Sequence, residues 1–375
     1  HLHTSSSFDS YLFDNRNDPR DAYAFAKGAP RAIPPLDANG NPTQWLQLAR
    51  PLDFAAVTDH AELLGETAIC LDPAHPQYAS AACTLFRDDD AQAFALFAQA
   101  LAQTSPSRLP FCGDGGVGCL AAAVSVWADL QAAAEEHYDR SSACAFTTFN
   151  AYEWTGSPGG DTLHRNVVFR SDVVPLLPIS YIEAPSPTQL WDRLPQACAN
   201  AGPACQAIAI PHNTNQSGGL AFPPLGSVDA ATALRRQGIE PLVELVQHKG
   251  ESECRPAVGS ADELCSFEKT SAVPPANDAP LSYVRNALKE GLAIGDAVGV
   301  NPYAVGFVGA TDTHNGTPGA TREDGFLGHA GELDDSPTER LSGETKTFSP
   351  GGLTVLWAEE NTRDALFESM LRREA

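Results

Sequence analysis

His1-Leu-His3 and Asp312-Thr-His314, two segments near opposite ends of the 375-residue chain, decide how its fold is interpreted. The second lies within Gly309-Ala-Thr-Asp-Thr-His-Asn315. Each segment places two metal-ligating residues at positions i and i+2, and such positions point to the same side of an extended chain. We therefore predict that each segment presents two ligands to one point.

Three further candidate ligands follow apolar, strand-like runs. His60 with Asp59 follows Phe54-Ala-Ala-Val57, Glu153 follows Phe149-Asn-Ala-Tyr152, and His212 follows Ala207-Ile-Ala-Ile-Pro211. Ligands carried by the ends of many strands are typical of a metal centre at the mouth of an α/β barrel.

Strand-like and helical patterns alternate from residue 146 onward, which favours a parallel sheet or a barrel built from repeated βα units. The predicted strands are 52–58, 146–152, 164–170, 207–210, 242–246, 305–310 and 353–357, and the predicted helices are 89–102, 121–138, 187–198, 281–291 and 362–373. Residues 65–145 interrupt this alternation, and we interpret them as an insertion over one face of a single domain. A separate binding module is the alternative. The long polar segment 315–351 directly follows a ligand pair, which predicts a functional loop.

Composition excludes some classes of partner. The chain has 47 acidic and 24 basic residues, a formal charge of -23, and 43% hydrophobic residues. A phosphate backbone needs a basic surface, so nucleic acid is not expected as a partner. The longest apolar stretch that we identify, 91–102, is too short to cross a bilayer, so no transmembrane segment is expected.

Eight of the nine cysteines fall into close pairs: Cys70 with Cys83, Cys112 with Cys119, Cys198 with Cys205, and Cys254 with Cys265. Cys144 is left over. None of the pairs has C-x-x-C spacing, so a structural zinc site is not expected. Four local disulfides predict a periplasmic or secreted protein whose leader is absent from this chain. Buried free thiols in a cytoplasmic protein are the alternative.

The order of the candidate ligands resembles the PHP (polymerase and histidinol phosphatase) superfamily of metal-dependent phosphoesterases, in a poorly characterised and often exported branch. The motifs are His1-Leu-His-Thr-Ser-Ser-Ser-Phe-Asp9, Ala56-Val-Thr-Asp-His60, Glu153, His164, Ile210-Pro-His212 and Asp312-Thr-His314. Phe8 is an extra residue before the acid of the first motif. The resemblance implies a distorted (β/α)7 PHP-like barrel.

The resemblance also implies two to three divalent metal ions. His1, His3, Glu153 and Asp312 would hold the first, Glu153 would bridge to a second held by His164 and His212, and Asp9, His60 and His314 would hold a third. Imidazole and carboxylate ligands without thiolate suit Zn, Mn or Fe. Three such ions bring six positive charges against three carboxylates, which favours a small anionic substrate. The implied function is hydrolysis of a phosphoester by a metal-bridging hydroxide.

Other residues are candidates for roles beside the metals. Glu153 and Asp312 would be catalytic as ligands, and His329 in the long loop could protonate a leaving group. Arg165, Lys249 and His248 could bind the substrate, and Glu244 could be a ligand or structural. Asp59 is expected to orient His60. His75 and His137 are expected at the surface.

Alternative functions remain open at this stage. The same centre could hydrolyse a carboxylic ester, a lactone, an amide or a sulfate ester, because the fold does not determine the substrate. A metal-dependent binding protein without turnover is the alternative from another class. Ser5 to Ser7 lie beside His3, but a serine hydrolase is disfavoured because the chain has no G-x-S-x-G motif. Copper bound by His1 at a true N-terminus would leave Glu153, His212, Asp312 and His314 unexplained.

Overall fold

The computed structural model describes residues 1–103, 105–270, 279–343 and 345–375. The predicted loop 315–351 is therefore described at every position except 344. It is a mixture of helices and small sheets. The helices are α1 (Phe8–Leu12), α2 (Pro19–Ala26), α3 (Leu64–Leu71), α4 (Ala81–Asp88), α5 (Asp90–Leu101), α6 (Val117–His137), α7 (Pro187–Ala201), α8 (Ala230–Ile239), α9 (Val284–Val298), α10 (Pro337–Arg340) and α11 (Arg363–Arg372). The strands are β1 (Arg31–Leu36), β2 (Pro42–Leu46), β3 (Phe54–Ala55), β4 (Thr147–Thr148), β5 (Ala151–Trp154), β6 (Arg165–Phe169), β7 (Ala207–Pro211), β8 (Leu242–Gln247), β9 (Gly250–Glu251), β10 (Arg255–Pro256), β11 (Gly259–Ser260) and β12 (Gly306–Gly309).

The described strands form five small sheets. The three-stranded sheets have the orders β5-β6-β7 and β12-β8-β9, and the pairs are β1-β2, β3-β4 and β10-β11. Isolated parallel bridges join Leu2 to Thr313 and His60 to Glu153, which links ligand-bearing segments of different sheets. Strand pairing among the described residues does not close these sheets into one barrel, so the (β/α)7 barrel stays a prediction.

The direction of β6 differs from the parallel arrangement expected from the alternating pattern. β6 runs antiparallel to both β5 and β7, with Glu153 paired to Asn166 and Arg165 paired to Pro211. Its first residue therefore lies at the edge where β5 and β7 end. This explains why His164 precedes its strand, whereas His212 follows its strand.

The predicted helices are present with boundaries shifted by a few residues, and their starts follow ordinary capping chemistry. The Asp89 side chain accepts a hydrogen bond from the Gln92 amide at the start of α5, and Ser186 caps α7 in the same way through Gln189. The predicted strand 353–357 is wrong. This segment has no strand pairing, and its Leu353, Val355 and Trp357 side chains are exposed.

Two apolar clusters organise the part of the fold that surrounds the ligands. The main one includes Tyr152 and Trp154 of β5 and Val167 of β6, and it extends to Trp127 of α6. The second joins α1 to α3, α4 and α5 within residues 65–145. Gly65 of α3 lies against the Cys119 backbone of α6, where an added Cβ would collide with the Cys119 carbonyl. The predicted insertion is thus held together by α3 and α6, and it meets the rest of the chain through Trp127 in the main cluster and α1 in the second. Its extent stays a prediction.

Helix α6 is also the one segment that, within the described residues, is long and apolar enough to cross a membrane by length and composition. The expectation from sequence considered only the shorter stretch 91–102. In the structure, one face of α6 packs inward through Trp127, Leu130 and Ala133, and 33% of its most apolar stretch is buried. Its composition alone is weak grounds for a membrane span.

The disulfides follow the predicted pairing. Cys70–Cys83, Cys112–Cys119, Cys198–Cys205 and Cys254–Cys265 are bonded, and Cys144 is free. Four disulfides indicate a protein of an oxidising compartment, outside the cytoplasm.

Peptide mapping of the unreduced, denatured protein is expected to find one alkylated cysteine, Cys144, and four cross-linked peptide pairs. After reduction all nine cysteines should react. Mass spectrometry after labelling with iodoacetamide gives the count, and alkylation of more than one cysteine before reduction would contradict the four bonds.

Candidate metal centre

The nine predicted metal ligands lie in one cluster near the edge of the β5-β6-β7 sheet where β5 and β7 end. They are His1, His3, Asp9, His60, Glu153, His164, His212, Asp312 and His314. Glu153 projects from β5 on the face opposite Tyr152 and Trp154, because side chains alternate along a strand. The bridge between Leu2 and Thr313 places His1 and His3 beside Asp312.

The first group consists of four atoms that converge on one point. Asp312 Oδ1 lies 3.0 Å from His1 Nε2 and 3.2 Å from His3 Nε2, and His3 Nε2 lies 3.1 Å from Glu153 Oε2. All four atoms are buried and lack a hydrogen-bond partner in the described part of the chain. Buried polar atoms are normally hydrogen-bonded. Two imidazole nitrogens and two carboxylate oxygens so arranged fit a divalent cation.

Glu153 connects this group to a second one. Its Oε1 lies 2.8 Å from His164 Nδ1, and its Oε2 lies 3.4 Å from His212 Nε2. Oε2 thus faces His3 of the first group as well as His212 of the second, as expected of a carboxylate that joins the two. Glu153, His164 and His212 form one of the groups of side chains that could hold a metal ion.

The third group is centred on Asp9, whose Oδ2 lies 3.1 Å from both His60 Nε2 and His314 Nε2. The extra residue Phe8 does not displace this acid. Helix α1 begins at Phe8 and directs its ring into the second apolar cluster against Phe97, with ring centroids 5.9 Å apart. Asp9, one position further around the helix, points into the ligand cluster.

Asp312 reaches the cluster in a different way from the extended pair that its spacing suggested. Its backbone is left-handed, with φ +52°, and lies beyond the end of β12. A left-handed backbone is uncommon for residues other than glycine, although aspartate adopts it more readily than most. The turn aims Asp312 Oδ1 at His1 and His3 while His314 Nδ1 contacts the Asp312 carbonyl at 2.9 Å.

Several polar groups hold the far nitrogen of a ligand imidazole, which orients the ring. The contacts are His1 Nδ1 with Glu244 Oε2 at 2.8 Å, His3 Nδ1 with Ser7 Oγ at 2.9 Å, His60 Nδ1 with Thr155 Oγ1 at 2.6 Å, and His212 Nδ1 with the Asn166 amide at 3.1 Å. Glu244 therefore orients His1. Ser7, Thr155 and Asn166 were not predicted, although Thr155 lies two residues after Glu153 on the same strand edge.

Asp59 acts on a different histidine from the one expected. Its carboxylate accepts hydrogen bonds from the Thr4 amide, the Thr4 hydroxyl and the Ser7 hydroxyl at 2.6–2.7 Å. Ser7 in turn contacts His3, so Asp59 orients His3 and fixes the loop after it. It has no hydrogen bond to the His60 ring among the described contacts.

Charge is distributed unevenly over the cluster. Burial lowers the pKa of His1, but the carboxylates of Glu244 and Asp312 outweigh it and raise this pKa to about 10. Burial raises the pKa of Glu153, but His60, His212 and His164 hold it well below its usual range. Burial also lowers the pKa values of His164 and His212, which keeps these imidazoles neutral and able to bind a metal.

Arg165 lies away from the cluster. It shares the face of β6 with Val167 and Phe169, and its Nε donates to Glu240 at 2.9 Å in a fully buried ion pair. Asn166 is the β6 residue that faces the ligands. The structure therefore gives Arg165 a structural partner in place of the predicted substrate.

The other predicted substrate and proton-transfer residues lie closer. Lys249 Nζ contacts Asp312 Oδ2 at 2.6 Å, and His248 Nε2 lies 3.8 Å from the same oxygen. His329 is fully buried, with Nε2 3.1 Å from the Pro350 carbonyl, and burial lowers its pKa to about 4. Its carbonyl accepts the His314 amide at 2.6 Å. His329 thus fixes the loop behind His314. These contacts do not favour the predicted role of His329 as the acid that protonates a leaving group.

A cavity of about 660 Å³ lies beside the cluster. Of the nine ligands it touches His1, together with the supporting residues Glu244 and Asn166, and its other walls include Ile210 and Val308. Around the metal-facing atoms, the most exposed side chains are those of His164 and Lys249, at 20% and 28%.

A family model described as "Protein of unknown function (DUF3604)" matches residues 1–375. The chain therefore belongs to this family. No curated protein and no solved structure matches the chain. The chemistry of the site consequently has to be argued from its own geometry.

Metal binding is expected to release protons at pH 7, because His1, His3 and His60 have raised pKa values in the metal-free protein. Apparent affinity for Mn²⁺ should rise by about tenfold per pH unit for each proton displaced. Calorimetry in two buffers of different ionisation enthalpy measures this release. Equal heats in both buffers would contradict it.

Arg165→Met is expected to lower the free energy of unfolding by about 3–5 kcal/mol, because it leaves Glu240 buried with one partner fewer. Metal content of the folded protein should not change. Urea denaturation and elemental analysis measure the two quantities, with the exposed Arg193→Met as control. Unchanged stability with weakened phosphate binding would instead assign Arg165 to the substrate.

Proposed function

We propose that this protein is a metal-dependent hydrolase that cleaves a small organic phosphoester at a di- or trinuclear centre. The observation that carries the proposal is the buried Glu153 carboxylate, which faces two ligand groups, while four converging atoms of the first group have no hydrogen bond within the described residues. The resemblance of the ligand order to the PHP superfamily supports the same conclusion.

The charge of the centre favours an anionic substrate. Three divalent ions bring six positive charges, and Asp9, Glu153, Asp312 and the supporting Glu244 return four. The site is then net positive inside a protein whose formal charge is -23. A phosphate ester carries the complementary charge, and the field of the ions offsets the repulsion by the acidic surface.

The protein's own groups have separable roles. His1, His3 and Asp312 hold one position, His164 and His212 a second, Asp9, His60 and His314 a third, and Glu153 joins the first two. The bound ions would polarise the phosphoryl oxygens and lower the pKa of water so that it attacks at neutral pH. Glu244, Ser7 and Thr155 keep the rings in ligand geometry. Lys249, at the open side, is placed to contact an anion.

Elemental analysis of the purified protein, before and after chelation, is the experiment that tests the centre. Two to three equivalents of Zn, Mn or Fe are expected, together with hydrolysis of p-nitrophenyl phosphate or bis(p-nitrophenyl) phosphate that chelation abolishes and metal restores. Turnover of carboxylate or sulfate esters in place of phosphates would move the function to another ester. Bound metal without turnover on the whole panel would favour a binding protein.

Glu153→Ala is expected to lose the metals of both groups that it joins and to reduce hydrolysis by at least about a thousandfold, since both metal-held positions are lost together. His75→Ala, in a segment far from the ligands, is the matched control and should behave as wild type. Metal content and steady-state rates with p-nitrophenyl phosphate measure the effect. Wild-type rates in Glu153→Ala would remove the bridging role.

We propose a periplasmic or secreted enzyme, which the four disulfides support because such bonds are typical of an oxidising compartment. An extracytoplasmic phosphoesterase would release phosphate or an alcohol from small esters.

A further inference from the structure

Asp312 uses its two oxygens for different neighbours. Oδ1 faces His1 and His3 at 3.0 and 3.2 Å, whereas Oδ2 accepts a hydrogen bond from the Lys249 ammonium at 2.6 Å. The carboxylate is 2% exposed, so this ammonium is a close counter-charge to a deeply buried ligand. A lysine is thus inserted into the side of the cluster where a cation is expected to bind.

The surroundings of that ammonium also fit a cation. His248 is fully buried, and both of its ring nitrogens lack a hydrogen-bond partner in the described part of the chain. His248, Asp312 and His314 form one of the groups that could hold a metal ion. Unpaired buried imidazole nitrogens normally find a partner. Lys249 therefore lies beside a further possible cation position, which His248 forms with the ligands Asp312 and His314.

We propose that Lys249 is an exchangeable counter-cation: it neutralises Asp312 in the metal-free protein, leaves it when metals bind, and then holds the anionic group of the substrate. The proposal rests on the metal centre of the proposed function. It assigns one lysine to two states, and it links metal loading to anion binding.

Two features of the chain allow the exchange. Divalent ions beside Asp312 would repel an ammonium at hydrogen-bond distance, and the repulsion is strong because the site is buried. The Lys249 side chain is 28% exposed, so it borders solvent and can turn outward from Asp312. A four-carbon stem allows this movement while the backbone stays in place.

The backbone around Lys249 is held firmly, so the movement is confined to the side chain. The Lys249 amide donates to the Gln247 side-chain oxygen Oε1 at 2.5 Å, and the next residue, Gly250, has φ +106°. An added Cβ at Gly250 would lie 3.1 Å from the Glu268 carbonyl oxygen and the Thr270 amide. This turn joins β8 to β9 and has no room to shift toward the Glu268 segment.

A permanent structural ion pair would behave differently from an exchangeable one. Removing a structural partner of Asp312 would weaken both metal and anion binding, because the ligand would be misplaced. Removing an exchangeable cation has opposite effects on the two, because it eliminates a competitor of the metal and an anchor of the anion. The signs of the two changes therefore decide between the roles.

The test compares wild type with Lys249→Met, which keeps the length of the side chain without its charge. Calorimetry first measures Mn²⁺ binding to chelator-treated protein, and then inorganic phosphate binding to the Mn²⁺-loaded protein. We expect Mn²⁺ to bind about tenfold more tightly in Lys249→Met and phosphate about tenfold more weakly, a single lost charge contact in each case. Lys289→Met, which removes a lysine far from the cluster, is the control.

Lys249→Arg keeps the charge and should retain phosphate binding, which guards against a fold defect in the first variant. Unchanged or weaker Mn²⁺ binding in Lys249→Met would overturn the exchange, as would unchanged phosphate binding. The measurement needs no turnover, so an inactive protein with these opposite shifts would refute the phosphoesterase and leave the exchange standing. Failure of wild type to bind Mn²⁺ would overturn both.

Discussion

The buried carboxylate of Glu153 is the constraint on which the rest of the site depends. It is 1% exposed, and an ionised carboxylate so far from water is stable only beside positive charge or hydrogen-bond donors. Its neighbours are four imidazoles, those of His3, His60, His164 and His212. Without metal, His3 and His60 compensate it, because their pKa values are raised, whereas His164 and His212 are neutral. Metal ions between the imidazoles would supply the same positive charge in place of the displaced protons.

The strands around Glu153 bring its histidine neighbours to one edge of a small sheet. β5 projects it, antiparallel β6 brings His164 and Asn166 to the same edge, and β7 delivers His212. The opposite face of the same strands carries Tyr152, Trp154 and Val167 into the apolar core. Period-two alternation thus divides the small sheet into a ligand face and a core face, and a shift of one residue in register would exchange them.

Much of the site could be predicted from sequence, because ligand chemistry depends on residue type and order. The i, i+2 pairs marked His1, His3 and Asp312 as candidate ligands, the PHP resemblance grouped them, and the near spacing of the cysteines predicted their pairing. Arg165 could not be placed correctly, since its position next to His164 says nothing of which strand face it occupies. The left-handed backbone of Asp312 and the reversed direction of β6 depend on tertiary pairing, which local patterns do not encode.

The supporting contacts show why residues that bind no metal matter as much as the ligands. Asp59 accepts three hydrogen bonds that fix Thr4 and Ser7, and Ser7 sets the ring of His3. Because His3 contacts both Asp312 and Glu153, a movement of this loop would disturb two carboxylates at once. The opening segment is thus held by side-chain hydrogen bonds to a residue 55 positions away. The geometry of the ligand His3 therefore depends on Asp59, which follows β3. Correct folding of this segment is thus coupled directly to the ability to bind metal.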